Sequence, residues 1–233
     1  MARKNEGTES LTFIIPAYND EKTIQTVVAN TLEVGRRLRV PFNILVINDG
    51  STDATGKILT TIRQHHTELK VITHTENAGY GETIKELYQK ATKTWLFSLP
   101  GDYQIEPDEL MKLWPHRRDF DMVIGWRKAR RDNRSRLRQS GVYNTLLRIM
   151  FHLTLHDINS VRLMKISIMQ SVKLTSSSAF VDAELVVRAK RGRFRITEVP
   201  IAHRARAGEG GSGGKLNVIL PTIVDMIKFW LSG

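Results

Sequence analysis

The chain has 233 residues, 41% of them hydrophobic, which is enough for one globular domain with a sizeable core and too apolar for a disordered tail. It contains no cysteine, so disulfides and thiolate metal sites are excluded and any metal must rest on oxygen or imidazole ligands. With 35 Lys+Arg against 24 Asp+Glu the formal net charge is +11, and the expected partners are polyanions: nucleic acid, anionic lipid or a phosphorylated substrate.

Residues 1–10 are polar and are expected to form a flexible N-terminus without the apolar stretch of a secretory signal. Leu11 to Ile15 is a short, β-branched apolar run that stops at Pro16, as a buried parallel strand would. A helix follows, with Asn19 as its candidate N-cap, Asp20 and Glu21 in its first turn, and Ile24, Val27, Val28 and Leu32 at helical spacing. Phe42 to Ile47 is the next strand, and Asn48, Asp49, Gly50 and Ser51 turn the chain into a helix carrying Ile58, Leu59 and Ile62. The alternation continues with a strand at Leu69–Thr73, a helix from Gly81 to Thr92, a strand at Trp95–Leu99, a short helix from Pro107 through Trp114 and a strand at Met122–Gly125. Beyond Gly125 a basic loop leads to a long helix from about Ser140 to Leu155, a helix near Asp182–Lys190, a strand at Arg195–Pro200 and a Gly-rich loop, Gly208–Gly214. The last segment, residues 216–233, places Ile219, Ile223, Ile227 and Trp230 on one helical stripe, too short and too polar to span a bilayer. Such a helix either lies in a membrane interface or packs on the domain.

Strands alternating with helices at this spacing predict an α/β fold with a mostly parallel central sheet covered by helices on both faces. Ligands in such sheets bind beyond the carboxyl ends of the strands. The polar clusters Pro16–Asp20, Asn48–Asp53, Asn77–Gly81 and Gly101–Gln104 are expected to converge on that rim. Asp49, at the mouth of a strand, suits a hydrogen bond to a ribose or base, and Gly50 allows close backbone approach. A basic run from Arg117 to Arg148, including Arg127, Arg134, Arg136 and Arg138, suits bidentate contacts with phosphate oxygens, or else a solvated loop.

The segments IIPAYNDE, VINDGSTDAT, NAGYGETI and LPGDYQIEP, in that order and spacing, resemble the N-terminal half of family 2 glycosyltransferases. The later GWR, RLRQSGVYN, DINSVRLMK and RITEVPIAHRARAGEGGSGGKL resemble the subgroup containing dolichol-phosphate mannose synthase and related polyprenyl-phosphate glycosyltransferases. The resemblance runs from Leu11 to Leu216 and implies a single GT-A (Rossmann-like) domain over residues 11–215. It implies that Pro16, Tyr18, Asp20, Asp49, Gly79, Gly81 and Asp102 bind the nucleotide-sugar donor, although a plain helix-entry turn also accounts for the two glycines. Asp102 and Gln104 match the second acid and the glutamine of the family's metal motif, so the implied cofactor is Mg²⁺ or Mn²⁺. Pro100 stands where the first acid is usual, which removes one ligand. Arg127, Arg136, Ser140, Arg206 and Lys215 match the acceptor-phosphate side, with Arg138 a rival to Arg136 and with His203, Arg204 and Ser212 on the same lid-like segment.

The implied reaction is inversion at the anomeric carbon, with a nucleotide sugar (GDP- or UDP-linked) as donor and a polyprenyl phosphate as acceptor, and Asp102, Arg127 and Asp182 as catalytic residues. Asp182, or Glu184, is the base that a hydroxyl acceptor would need, whereas a phosphate acceptor needs none. Three other readings stay open here: transfer to a saccharide hydroxyl with Asp182 as base, a non-catalytic nucleotide-sugar binder, and nucleic-acid binding, for which no recognition motif is present. The expected location is the cytoplasmic face of a membrane, as a peripheral protein.

Overall fold

The structure, a computed structural model, describes residues 9–128, 134–205 and 216–232. Strands β1 (Leu11–Ala17), β2 (Phe42–Asn48), β3 (Leu69–Thr73), β4 (Trp95–Ser98), β5 (Met122–Arg127), β6 (Arg162–Lys165) and β7 (Ile196–Ile201) form one sheet in the order β3-β2-β1-β4-β6-β5-β7. β6 runs antiparallel to both of its neighbours, and the other pairings are parallel. The helices are α1 (Ile24–Arg37), α2 (Thr55–His65), α3 (Tyr80–Lys90), α4 (Leu110–Leu113), α5 (Arg134–Phe151), α6 (Ile166–Ser171), α7 (Val181–Arg191) and α8 (Leu216–Leu231).

Period-two alternation in the strands feeds two separate cores, one on each face. Leu11, Phe13, Ile15, Ile44, Val46, Trp95 and Phe97 pack with Val27, Val28 and Leu32 of α1, Leu59 of α2 and Leu110 of α4. Their sequence neighbours Ile14, Leu45, Ile47, Leu96, Met122 and Ile124 face the other way, onto α3, α5, α7 and α8. The predicted mostly parallel sheet covered on both faces is what forms.

Three expectations change. The long helix begins at Arg134 rather than near Ser140 and ends at Phe151. β6 and α6 were not foreseen. Asn19 does not cap α1: it sits at φ 53°, its Oδ1 accepts the Thr52 N–H, and a turn at Asp20–Thr23 precedes the first helical residue, so Asp20 and Glu21 lie outside the first turn. The Gly-rich loop Gly208–Gly214 lies outside the described residues.

Candidate active site

The loops that leave β1 and β2 are stitched together by reciprocal hydrogen bonds. Asn19 N–H donates to Ser51 Oγ (3.0 Å), Asp20 N–H to Thr55 Oγ1 (2.9 Å) and Glu21 N–H to Asp53 Oδ2 (3.1 Å), while Glu21 Oε2 accepts from the Ala54 N–H (3.0 Å). Burial works against the charged form of Asp53, but hydrogen bonds from Thr55 and Glu21 prevail and hold its carboxyl below the usual range. The same rim holds Tyr18, whose ring is exposed and whose N–H donates to Asp20 Oδ2 (3.1 Å). Across β1, Gly101 approaches so closely that an added Cβ would stand 2.7 Å from Asp20 Oδ2 and 3.2 Å from Pro16 O. Pro16, Tyr18, Asp20 and the loop after β4 therefore meet at the carboxyl end of the sheet, as expected.

Asp49 is 3% exposed and is the hub of this edge. Its N–H donates to Ala17 O (2.9 Å); Oδ1 accepts from Ala78 N–H (2.8 Å) and Oδ2 from Gly79 N–H (3.0 Å). Gly79 has φ 85°, a left-handed conformation that favours glycine, and this geometry aims its N–H at the carboxylate. Its Cβ position is open, as close approach of a ligand would need. Gly81 is different: a Cβ there would stand 2.1 Å from Ser177 O, so it serves helix packing. His74, which the sequence reading passed over, places Nδ1 2.7 Å from Asp49 Oδ1 and Nε2 2.9 Å from Glu86 Oε2. The Asp49 hydrogen bond, set against burial and helped by Glu86, raises the imidazole above its ordinary value.

The loop after β4 is pinned to α1 by Thr23 Oγ1 donating to Gly101 O (2.7 Å) and Asn30 Nδ2 donating to Tyr103 Oη (2.9 Å). Asp102 Oδ1 accepts the Gln104 N–H (3.1 Å), and Gln104 O accepts the Arg204 N–H (2.8 Å), while the Arg204 side chain pairs with Glu106 and lies over the Tyr103 ring. Among the described residues no cluster of three acidic or histidine side chains forms a metal cage. One carboxylate, Asp102, suits Mg²⁺ or Mn²⁺ carried by a diphosphate, since such ions take one or two carboxylates and fill the remaining sites with phosphate oxygens and water.

At the end of β5, Arg127 grips Asp157 with both arms of its fork, Nε to Oδ2 at 2.6 Å and Nη2 to Oδ1 at 2.7 Å, and Nη2 also donates to Asn159 O (3.2 Å). Asp157 in turn is set by Glu198, which accepts the N–H groups of His156 and Asp157. Ser140 lies one turn beyond Arg136 inside α5, so the two are on a helix rather than at a loop junction. The Arg136 side chain, Arg206, Ser212 and Lys215 lie outside the described residues. His203 is buried and Arg138 exposed.

Asp182 is not presented as a base. It is 5% exposed, Oδ2 accepts from Tyr80 Oη (2.7 Å), and Oδ1 faces Arg162 Nη2 at 3.1 Å and Tyr88 Oη at 3.5 Å. Although Tyr80 as a residue is 44% exposed, the crowding of its hydroxyl end and the Asp182 charge beside it raise the phenol above its ordinary value, so it stays a donor. Arg162, 1% exposed, also donates to the carbonyls of Asp182, Ile158 and Ser160. Glu184 is likewise consumed, by Thr175, Ser176 and Arg188. These contacts form a continuous path around the edge, from Asp49 through Gly79–Tyr80, Asp182 and Arg162 to Ser160, Asn159 and Arg127.

The family model described as Glycosyl transferase family 2 matches residues 12–173. A dodecaprenyl-phosphate galacturonate synthase of Rhizobium johnstonii is 25% identical over 96% of this chain and 68% of its own length. An undecaprenyl-phosphate 4-deoxy-4-formamido-L-arabinose transferase of Pectobacterium carotovorum is 27% identical over 61% of this chain, and the match spans 44% of that relative. Glucosyl-3-phosphoglycerate synthase from Mycobacterium tuberculosis in complex with UDP superposes with a TM-score of 0.72 at 17% identity, covering 96% of this chain and 79% of that one. The same synthase has been solved with Mn²⁺ and UDP-glucose.

Proposed function

The chain belongs to glycosyl transferase family 2, and from that membership we propose that it moves a sugar from a nucleotide-sugar donor to a polyprenyl phosphate, with inversion at the anomeric carbon. The observation that favours a phosphate acceptor is the engagement of both candidate bases. The Asp182 oxygens face Tyr80, Tyr88 and Arg162, and those of Glu184 face Thr175, Ser176 and Arg188. A phosphomonoester, with a second pKa of about 6, is already largely dianionic at neutral pH and has no proton to lose. Its oxygen attacks the anomeric carbon in line, the bond to the donor diphosphate breaks, and the nucleoside diphosphate leaves with the electron pair.

Such a reaction asks the protein to position two anions and balance their charge. In this proposal Asp49, Tyr18 and the Asp20 loop hold the nucleoside, with Gly79 allowing the donor close to the backbone. Asp102, with Gln104 beside it, would hold a divalent ion, which would supply charge neutralisation at the diphosphate. Arg127, oriented by Asp157, is assigned to the acceptor phosphate, and the family resemblance assigns Arg136, Ser140, Arg206 and Lys215 to the same role. A lipid acceptor also accounts for α8, whose outward stripe of Leu220, Ile223, Val224, Ile227 and Trp230 is exposed rather than packed. No helix among the described residues is long and apolar enough to cross a membrane, and peripheral docking at the cytoplasmic face is the proposed location.

The test is incubation with a panel of radiolabelled GDP- and UDP-sugars and a short-chain polyprenyl phosphate. Label is expected in the organic phase; label confined to water-soluble glycan rejects the lipid acceptor.

A further inference from the structure

His74 lies between two carboxylates on different elements, Asp49 at the end of β2 and Glu86 on α3, at 2.7 and 2.9 Å. Its side chain is 18% exposed and that of Asp49 is 5%, so water does not easily replace the Asp49 contact, while Glu86, at 32%, stands nearer to solvent. Lys90 Nζ lies 3.6 Å from Glu86 Oε1, the carboxylate oxygen that does not contact the ring. Both ring nitrogens thus meet acceptors, and only the imidazolium has two N–H donors to offer. A neutral ring must turn a lone pair toward one carboxylate.

Asp49 already accepts three hydrogen bonds, from His74, Ala78 and Gly79, with two on Oδ1 and one on Oδ2. An ionised carboxylate has about four acceptor sites, which leaves one on Oδ2 for a ligand N–H or O–H. We propose that His74 is a positioning residue for the donor: as an imidazolium it clamps Oδ1 of Asp49 and turns Oδ2 toward the nucleoside, so donor affinity falls when the ring loses its proton. The inference rests on the proposed role of Asp49 in holding the donor. Geometry and linkage agree in sign. The ring binds its proton more tightly in the folded protein than the ordinary 6.5, so the clamp is complete below 6.5 and is lost as pH rises through the folded value.

Glu86→Gln separates this role from a structural one. With an amide at position 86, a neutral ring donates from Nδ1 to Asp49 and accepts at Nε2 from the Gln amide, so the clamp no longer needs the second proton. The experiment is calorimetric titration of UDP and of GDP with Mg²⁺ between pH 6 and 9 on the wild type, Asp49→Ala, His74→Ala and Glu86→Gln, with NMR titration of the ring. The wild type is expected to lose up to about tenfold in affinity per pH unit above the folded midpoint, His74→Ala to bind weakly throughout, and Glu86→Gln to bind with a flat profile and a lowered ring midpoint. If Asp49→Ala binds as the wild type does, or if neither nucleotide binds the wild type, the donor role of Asp49 fails and takes this inference with it. If Asp49→Ala loses binding while Glu86→Gln keeps the wild-type pH profile, or if the ring titrates at its ordinary value, the inference alone is overturned.

Discussion

Arg162 shows how far a single side chain can differ from its usual surface role. It is buried in the sheet, paired with Asp182 and bonded to three backbone carbonyls, so removing it leaves a buried carboxylate uncompensated. Arg162→Met is expected to cost about 3–5 kcal/mol in denaturant unfolding. Asp182→Asn distinguishes scaffold from base: single-turnover transfer should stay within about tenfold of wild type, whereas loss of a general base costs about 10²–10⁴. Glu184 carries a pH signature. Burial opposes its charged form, but hydrogen bonds from Ser176, Thr175 and Arg188 hold its carboxyl below 4.5, so its contribution is intact above 4.5 and should fade as pH falls further, in an acid unfolding curve that Glu184→Gln flattens. At this scale the sequence is only partly legible. Asp20, Asp49 and Gly79 stand out because each follows a strand at a turn. His74 and Glu86 do not, since their partners are distant in the chain; Arg162 lies in the DINSVRLMK segment that the resemblance ties to the acceptor side with its own role open, and an arginine reads by default as solvent-exposed.

Elements transmit these contacts. Gly81 lets α3 press against Ser177 and Ser178, whose N–H groups are held by Asp225 of α8. Gly81→Ala therefore meets backbone, not a movable side chain, and should destabilise by about 1–3 kcal/mol despite the better helix propensity of alanine. α8 divides cleanly: Thr222, Met226 and Phe229 face inward, with Phe229 against Phe151 and Phe180, and the opposite stripe is open. If that stripe enters a bilayer, Ile223→Asp with Ile227→Asp should weaken sedimentation with anionic vesicles by about a hundredfold and leave nucleotide affinity unchanged; undiminished sedimentation would contradict the docking role. Most elements were readable from periodicity, because β1, β2 and β4 are apolar runs and α1 and α3 carry clear stripes. β6 was not, being four residues long with a basic residue at each end, and the arginine-rich start of α5 has no apolar period to mark it.

Across the whole molecule, Asp49, proposed to face the donor, and Arg127, proposed to face the acceptor, belong to one edge of a mostly parallel sheet, joined by hydrogen bonds and the Arg162–Asp182 ion pair. That arrangement suits a reaction between two anions better than the deprotonation of an alcohol. The most direct measurement offers both acceptors at once: equal amounts of a polyprenyl phosphate and the corresponding polyprenol in the same vesicles, with one labelled nucleotide sugar. Label on the phosphate alone is the expected result. Label on the alcohol at a comparable rate would contradict it, because the protein would then have to supply a base that the engaged Asp182 and Glu184 do not provide.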